Sequence, residues 1–218
     1  MSKKVVSVWT SIPFWRRSAA WVTGFASILL IWLTFDSMGQ ISMGTDADLK
    51  NGITKRVPAP TVINYNIDYK MDTKRGHEVP VIGEKEKFFG RDDWSEEEAA
   101  ELLHLGKLGS QAKNCMNCHT LLGNGAYYAP DLTKAWLDPA WGPNGSYLGM
   151  TNSTTKEEAM SKFLQNPSQF PSHERITEKE AMGLVAFLKH MSSIDTNGFP
   201  RNFARMSTDG VTGAIHGK

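Results

Sequence analysis

The first 40 residues contain one long apolar run, whose length predicts a membrane span. Residues 18–35 read SAAWVTGFASILLIWLTF, without an ionisable side chain, and a helix needs about 20 such residues to cross the hydrocarbon core. Four basic residues and no acidic ones lie within 1–17. Since positive charge is retained on the cytoplasmic side, we expect 1–17 in the cytoplasm and an anchor over 18–38. A cleaved signal peptide is the alternative, but the run is longer than a usual signal core and lacks a following small-x-small site.

The stretch 39–92 has few periodic apolar positions and is rich in Gly, Pro, Asp, Asn and Lys, which predicts an extended periplasmic connector. Within it, TVINYNIDY alternates as a short strand would. One face would hold Ile63, Tyr65, Ile67 and Tyr69, and the other Asn64, Asn66 and Asp68. An irregular loop is the alternative. Because so long a connector is unusual in an isolated domain, we expect it to pack on a partner subunit.

Helical periodicity returns in 93–202 and predicts three helices. Ser95 and Glu98 form a capping box that opens the first, which we expect to end between 105 and 108, where glycines begin. The second covers 156–164. The third begins at Thr177 and buries Leu184, Val185, Leu188 and Met191. The fold class is therefore mainly α: one transmembrane helix, a connector, a helical domain over 93–202 and a flexible tail over 203–218.

Both cysteines of the chain lie in a single motif, Cys115-x-x-Cys118-His119. At this spacing two thiols add to the two vinyl groups of a haem, and the adjacent imidazole becomes an axial iron ligand. A thioredoxin-like thiol pair would need a βαβ context, and a zinc site would need further ligands at finger-like spacing. The net charge of +1 gives no sign of nucleic-acid binding. We predict a class I-like cytochrome c domain with one covalently bound haem c.

Two longer strings, CMNCHTLLGNGAYYAPDL and SSIDTNGFPRN, resemble the cytochrome c subunit of bacterial nitric oxide reductase, across about residues 100–202. The resemblance implies an electron-transfer subunit that is not catalytic alone. It would accept electrons from a soluble periplasmic donor, a cytochrome c or a cupredoxin, and pass them to the b-type haem of a large multi-span subunit. That partner would convert nitric oxide to nitrous oxide at a haem and non-haem iron centre.

The same resemblance implies a single-pass protein of the bacterial inner membrane, with its haem domain in the periplasm. The long connector and an insertion at 136–147 exceed what the shorter family members carry. Three other readings stay open: the mono-haem subunit of a haem-copper terminal oxidase, a free-standing membrane-bound carrier, and a haem sensor with an open iron position.

Three further residues acquire roles by resemblance. Pro130 matches the proline of c-type cytochromes whose carbonyl accepts the second N–H of the axial histidine, here His119, and fixes its orientation. Gly125 and Tyr127 match a loop whose backbone oxygens help to hold a calcium ion between the subunits, so calcium is a second candidate cofactor.

The sixth iron ligand is where the sequence departs from the family. Members usually carry Met-Pro ahead of the last helix, whereas 168–175 contains no methionine. His173 is the strongest ligand in that stretch, so we predict His119/His173 coordination and a lower reduction potential than His/Met coordination gives. Met150 is the better of the two methionine alternatives because it lies in a loop, whereas Met160 falls in a predicted amphipathic helix.

Overall fold

A computed structural model describes residues 7–166 and 176–200, and the chain divides into two compact units between Ser42 and Met43. The first unit contains a 3-10 turn, Val8–Thr10, and helix α1, Ile12–Gln40. Helix α1 extends beyond the predicted anchor at both ends, and none of its side chains is buried. Its length and apolar composition suit a membrane crossing.

The second unit opens with a β-hairpin in the stretch that the sequence assigned to an extended connector. After the short helix α2, Asp46–Lys50, a 3-10 turn covers Pro60–Asn64, and strands β1, Tyr65–Asp72, and β2, His77–Lys85, pair antiparallel. The inward residues of β1 are buried and alternate with exposed ones. The predicted alternation is therefore present, but the strand starts at Tyr65 because a turn led by a proline precedes it.

This hairpin is ordered by its own chain, which corrects the expectation of a connector with little core. The buried residues Ile63 and Ile67 belong to the same hydrophobic cluster as those of the later helices. Lys189, fully buried in the last helix, donates to the carbonyl of Ile63 at 2.7 Å and to Glu86 at 2.5 Å. Contact of this segment with a partner subunit remains a prediction.

Among the described residues, the second unit also contains a two-residue strand pair, Thr120–Leu121 with Asn124–Gly125, and four α-helices: α3, Glu96–Ala112, α4, Ser146–Thr151, α5, Lys156–Gln165, and α6, Glu178–Met191. The capping boxes predicted at Ser95 and Thr177 are both formed. The four residues expected to be buried in the last helix are buried. Helices α3 and α6 form the main helix pair of the domain.

Contrary to the prediction from the sequence, helix α3 does not end at its glycines. It continues to Ala112 because Gly106 is the point at which α3 meets α6: a Cβ atom at 106 would lie 2.0 Å from the carbonyl oxygen of Gly183. Glycine usually weakens a helix, but here it permits two backbones to touch. The glycine pair therefore marks a close helix crossing rather than a helix end.

Candidate functional site

The cysteine motif forms a tight turn immediately after α3. Asn114 adopts a left-handed conformation (φ +54°), which asparagine tolerates better than most residues, and a 3-10 turn follows over Cys115–Asn117. The amides of Cys118 and His119 both donate to the carbonyl of Cys115, at 3.2 and 3.0 Å. The turn thus places both cysteines and His119 in one short hydrogen-bonded loop, and their attachment to a haem remains a prediction.

The Cys115 thiol does not have the character of a redox-active thiol. Burial raises its pKa, whereas thiol-disulfide chemistry depends on a lowered pKa and a ready supply of thiolate. This counts against the thioredoxin-like alternative.

The imidazole of His119 is fixed by the carbonyl oxygen of Pro130, which lies 2.7 Å from Nδ1. A carbonyl can only accept, so Nδ1 carries the proton and Nε2 keeps its lone pair for a metal. The loop bearing Pro130 is held in turn: the amide of Leu132 donates to the carbonyl of Thr120 at 2.8 Å, and the Thr120 hydroxyl to Asp131 at 2.6 Å. The contact expected from the sequence is therefore present in a braced loop.

Cys115, His119 and Pro130 open onto a cavity of about 650 Å³. This volume is typical of small-molecule and cofactor sites. Most of its wall is apolar and comes from α5, α6 and the loop after His119. The contributions of α5 and α6 are Met160, Phe163, Leu164, Leu184, Phe187 and Leu188. An apolar cavity of this size, lined by an oriented imidazole and the Cys115 thiol with Cys118 three residues further along the chain, fits a covalently bound haem.

Residues of the 136–147 insertion form another part of this cavity wall. This role was not predicted from the sequence. Trp141 and Tyr147 line the cavity, whereas Trp136 turns into the core against Phe88, with 6.1 Å between ring centroids. The available signal was the aromatic content of the insertion. Aromatic residues in a surface loop would be exposed unless the loop covered something.

Of the two methionine alternatives for the sixth ligand, the structure favours Met160 over Met150. Met150 is 64% exposed and is not part of the cavity wall, whereas Met160 is buried and lines it. The preference for Met150 was wrong because a methionine near the end of α4 points away from the site. His173 lies outside the described residues, although Leu164 and Ile176, on either side of that stretch, both line the cavity.

The two residues proposed for calcium lie in the loop that follows the haem motif. Gly125 has φ +120°, and a Cβ atom there would lie 2.2 Å from the carbonyl oxygen of His119, so only glycine fits. Tyr127 is 84% exposed and its hydroxyl donates to Gly123 at 3.4 Å. These positions explain the glycine structurally, and the calcium role remains a prediction.

Comparison with known proteins points to one family. The family model for cytochrome c matches residues 104–192. The nitric oxide reductase C-subunit of Stutzerimonas stutzeri is 30% identical over 109 residues, which cover 50% of this chain and 70% of that protein. The chain belongs to the nitric oxide reductase C-subunit family. The Cereibacter sphaeroides member is 31% identical over 104 residues, covering 46% of this chain and 67% of its own length, and the Paracoccus denitrificans member is 32% identical over 94 residues, covering 41% and 59%.

Membership in this family confirms the resemblance seen in the sequence and makes this protein a c-type cytochrome subunit with covalently bound haem c. The cytochrome c match begins at His104, within α3, and ends at Ser192, just beyond α6. The β-hairpin over Tyr65–Lys85 therefore lies outside the matched domain.

Proposed function

We propose that this protein is the membrane-anchored electron-transfer subunit of a nitric oxide reductase. It would accept electrons from a soluble periplasmic cytochrome c or cupredoxin and deliver them to the b-type haem of a large catalytic subunit. The observation that carries the proposal is the Cys115–His119 turn, which opens onto an apolar cavity with its imidazole already oriented by Pro130.

A bound haem supplies one-electron redox chemistry, and the chain's own residues define the conditions for it. Cys115 and Cys118 would hold the haem through thioethers, and His119 Nε2 would bind the iron. The Pro130 carbonyl accepts a hydrogen bond from Nδ1–H, which increases the basicity of the ligand and fixes the orientation of the ring. The mostly apolar wall would limit contact between the haem and water, and such burial is one of the means by which a protein sets the reduction potential of a haem.

Electron exchange requires an edge of the haem near the surface. Cys118 is exposed, and the neighbouring Tyr127 and Tyr128 are 84% and 90% exposed. The backbone ties this loop to the haem motif, because the amides of Tyr128 and Ala129 both donate to the carbonyl of Cys118, at 3.1 and 2.9 Å. This exposed side of the motif is where we expect electrons to enter or leave, with Gly125 and Tyr127 contributing backbone oxygens to a calcium ion shared with the large subunit.

For the sixth iron position we propose His173, with Met160 as the rival. The support is that both flanks of 167–175 lie at the cavity, and that histidine is the stronger ligand in that stretch. The matched variants are His173→Ala and Met160→Leu. We expect H173A to change the low-spin spectrum to a high-spin or water-ligated one and M160L to leave it low-spin. The reverse pattern would assign the ligand to Met160.

The topology is part of the proposal: helix α1 crosses the inner membrane once, with residues 1–17 cytoplasmic and the haem domain periplasmic. The absence of acidic residues from 1–17 and the apolar composition of α1 support it. Cysteine-accessibility labelling on intact cells tests the orientation, and labelling of the haem-domain side only after lysis would contradict it.

The test of the whole proposal is purification of the tagged full-length protein from gently solubilised membranes. We expect a large multi-span subunit, haem b and nitric oxide consumption to be recovered with it. Recovery with oxygen consumption instead would indicate a terminal oxidase subunit, and recovery alone with one haem c a free-standing carrier. Carbon monoxide binding by the reduced protein would favour a sensor.

A further inference from the structure

We propose that the 136–147 insertion holds a propionate group of the haem, with the indole N–H of Trp141 and the hydroxyl of Tyr147 as donors. The inference rests on the proposed function, since it requires a haem in the cavity. It assigns a positioning role to a segment that the shorter family members lack.

The two side chains form one rigid aromatic unit at the cavity wall. Their rings stack at 4.1 Å between centroids, with 21° between the planes. Phe163 of α5 contacts both edge-on, at 5.3 Å from Trp141 and 5.2 Å from Tyr147. All three residues line the cavity, so the polar atoms of Trp141 and Tyr147 are carried by rings that cannot easily turn away.

The backbone of the insertion is equally constrained. The carboxylate of Asp138 accepts from the amide of Ala140 at 2.8 Å, and its carbonyl accepts from the amide of Trp141 at 3.1 Å. A Cβ atom at Gly145 would lie 2.0 Å from the carbonyl oxygen of Ala140. The segment thus folds back on itself so closely that glycine is required, and the two aromatic rings are positioned before any ligand arrives.

A haem brings two carboxylates into a wall that is mostly apolar, and an ionised carboxylate in such a place needs donors. The other polar residues of the wall are poorly suited. Asp131 and Asp138 are acceptors, and the Ser110 hydroxyl donates to the carbonyl of Lys107 at 2.7 Å. The ammonium of Lys113 lies 3.5 Å from the carboxylate of Glu180.

Trp141 and Tyr147 supply what the rest of the wall lacks. Indole N–H and phenol O–H are neutral donors that pair with a carboxylate without adding charge. Within residues 7–166 and 176–200, no residue accepts a hydrogen bond from either group. One carboxylate has two oxygens, so it can accept from both donors.

The charges around this carboxylate determine how it titrates. The negative charges of Asp138 and Asp131 disfavour the ionised propionate. The Lys113–Glu180 ion pair has no net charge, so it has little effect. The two neutral donors favour the ionised form, because they donate hydrogen bonds to it. Removing the donors should therefore raise the pKa of the propionate. Because an oxidised haem carries one more positive charge, its midpoint potential falls as pH rises through that pKa, and the inflection should move with it.

The experiment uses the full-length protein in detergent with its covalent haem and measures midpoint potential against pH for Trp141→Phe, Tyr147→Phe and the double variant. We expect the inflection to move to higher pH by about one to two units in the double variant and by less in each single one. The propionate bending bands in resonance Raman spectra should shift in the same variants.

Two controls separate hydrogen bonding from packing. Tyr128→Phe removes the same oxygen from an exposed tyrosine that does not line the cavity. Phe163→Leu disturbs the aromatic unit without removing a donor. If the inflection of midpoint potential against pH lies at the same pH in Y147F, in the double variant and in Y128F, the inference is overturned. If W141F does not acquire its covalent haem, the titration of Y147F decides the test, because that variant loses only one oxygen atom. A wild-type protein without covalent haem would instead contradict the proposed function.

Discussion

Replacing Gly106 by alanine tests whether the crossing of α3 and α6 holds the haem cavity together. The added Cβ would lie 2.0 Å from the carbonyl oxygen and 2.5 Å from the carbonyl carbon of Gly183, and 2.7 Å from Cβ of Phe187. The first two neighbours are backbone, so no rotamer change relieves the clash. The helices would have to separate by about 1.4 Å to restore ordinary contact.

The energetic outcome follows from two opposing effects. Overpacking in a well-packed interface costs about 3 kcal/mol when backbone must move, whereas alanine in place of glycine favours the helix by about 1 kcal/mol. We therefore expect Gly106→Ala to lower the free energy of unfolding by about 2 kcal/mol. Since Leu184, Phe187 and Leu188 of α6 line the cavity, the variant should also admit water to the haem and alter its spectrum.

Gly109 provides the matched control on the same helix. An alanine Cβ there would meet only Leu184, at 3.6 Å, an ordinary contact. Gly109→Ala should therefore keep the wild-type spectrum and equal or exceed the wild-type stability. Thermal unfolding of the haem-loaded protein, followed at the Soret band, compares the two. Equal melting temperatures for G106A and G109A would refute the reasoning.

Three further predictions concern charge and capping. Burial lowers the pKa of Lys156 to about 8 from 10.5, so its ammonium costs the fold roughly 3 kcal/mol below pH 8, and this cost disappears as pH rises through 10.5. The contact of its ammonium with the ring of Trp136, at 4.4 Å, offsets part of that cost. Because the rest of the cost remains, Lys156→Met should raise the melting temperature at pH 7 and lose this advantage near pH 10. A gain in melting temperature that does not depend on pH would contradict the assignment. Ser95→Ala should reduce unfolding free energy by about 1 kcal/mol in denaturant titration, because the cap to the first turn of α3 is lost; an unchanged midpoint would mean that the cap contributes nothing. Lys189→Ala should cost about 2 kcal/mol, because it removes a fully buried side chain and leaves the buried carbonyl of Ile63 without its donor. It should also speed proteolysis within the hairpin, and an unchanged digestion pattern would count against this role.

The sequence predicted best where the signal is local. Both capping boxes, at Ser95 and Thr177, join residues three positions apart and formed as expected. The contact of His119 with Pro130 was also predicted from the sequence, because the two residues lie only eleven positions apart and match a pattern of the family. The alternation in β1 was read correctly as well, since a strand with one buried face displays it directly.

The failures share a physical cause, which is that the deciding partner lies far along the chain. Gly106 looked like a helix end because its reason for being glycine is Gly183. The hairpin looked like an uncovered connector because its buried residues join a hydrophobic cluster whose other members lie far along the chain, in α3, α5 and α6. The insertion looked like a surface elaboration because nothing local says that Trp141 and Tyr147 face a cavity.

The pairing of the hairpin with the last helix also constrains the order in which the chain folds. The bond from Lys189 to Ile63 joins residues 126 apart, and that from Tyr69 to Ser192 residues 123 apart. Contacts closed over such long loops form slowly and late, so the turn Pro60–Asn64 and strand β1 lack these bonds until the C-terminal helix has been made. The cysteines lie between strand β1 and this helix along the chain and remain reachable for haem attachment during that interval. A shortened protein that begins at residue 93 would lose the turn Pro60–Asn64, which contacts α3 and α6, and the smallest unit able to fold alone should start near Met43.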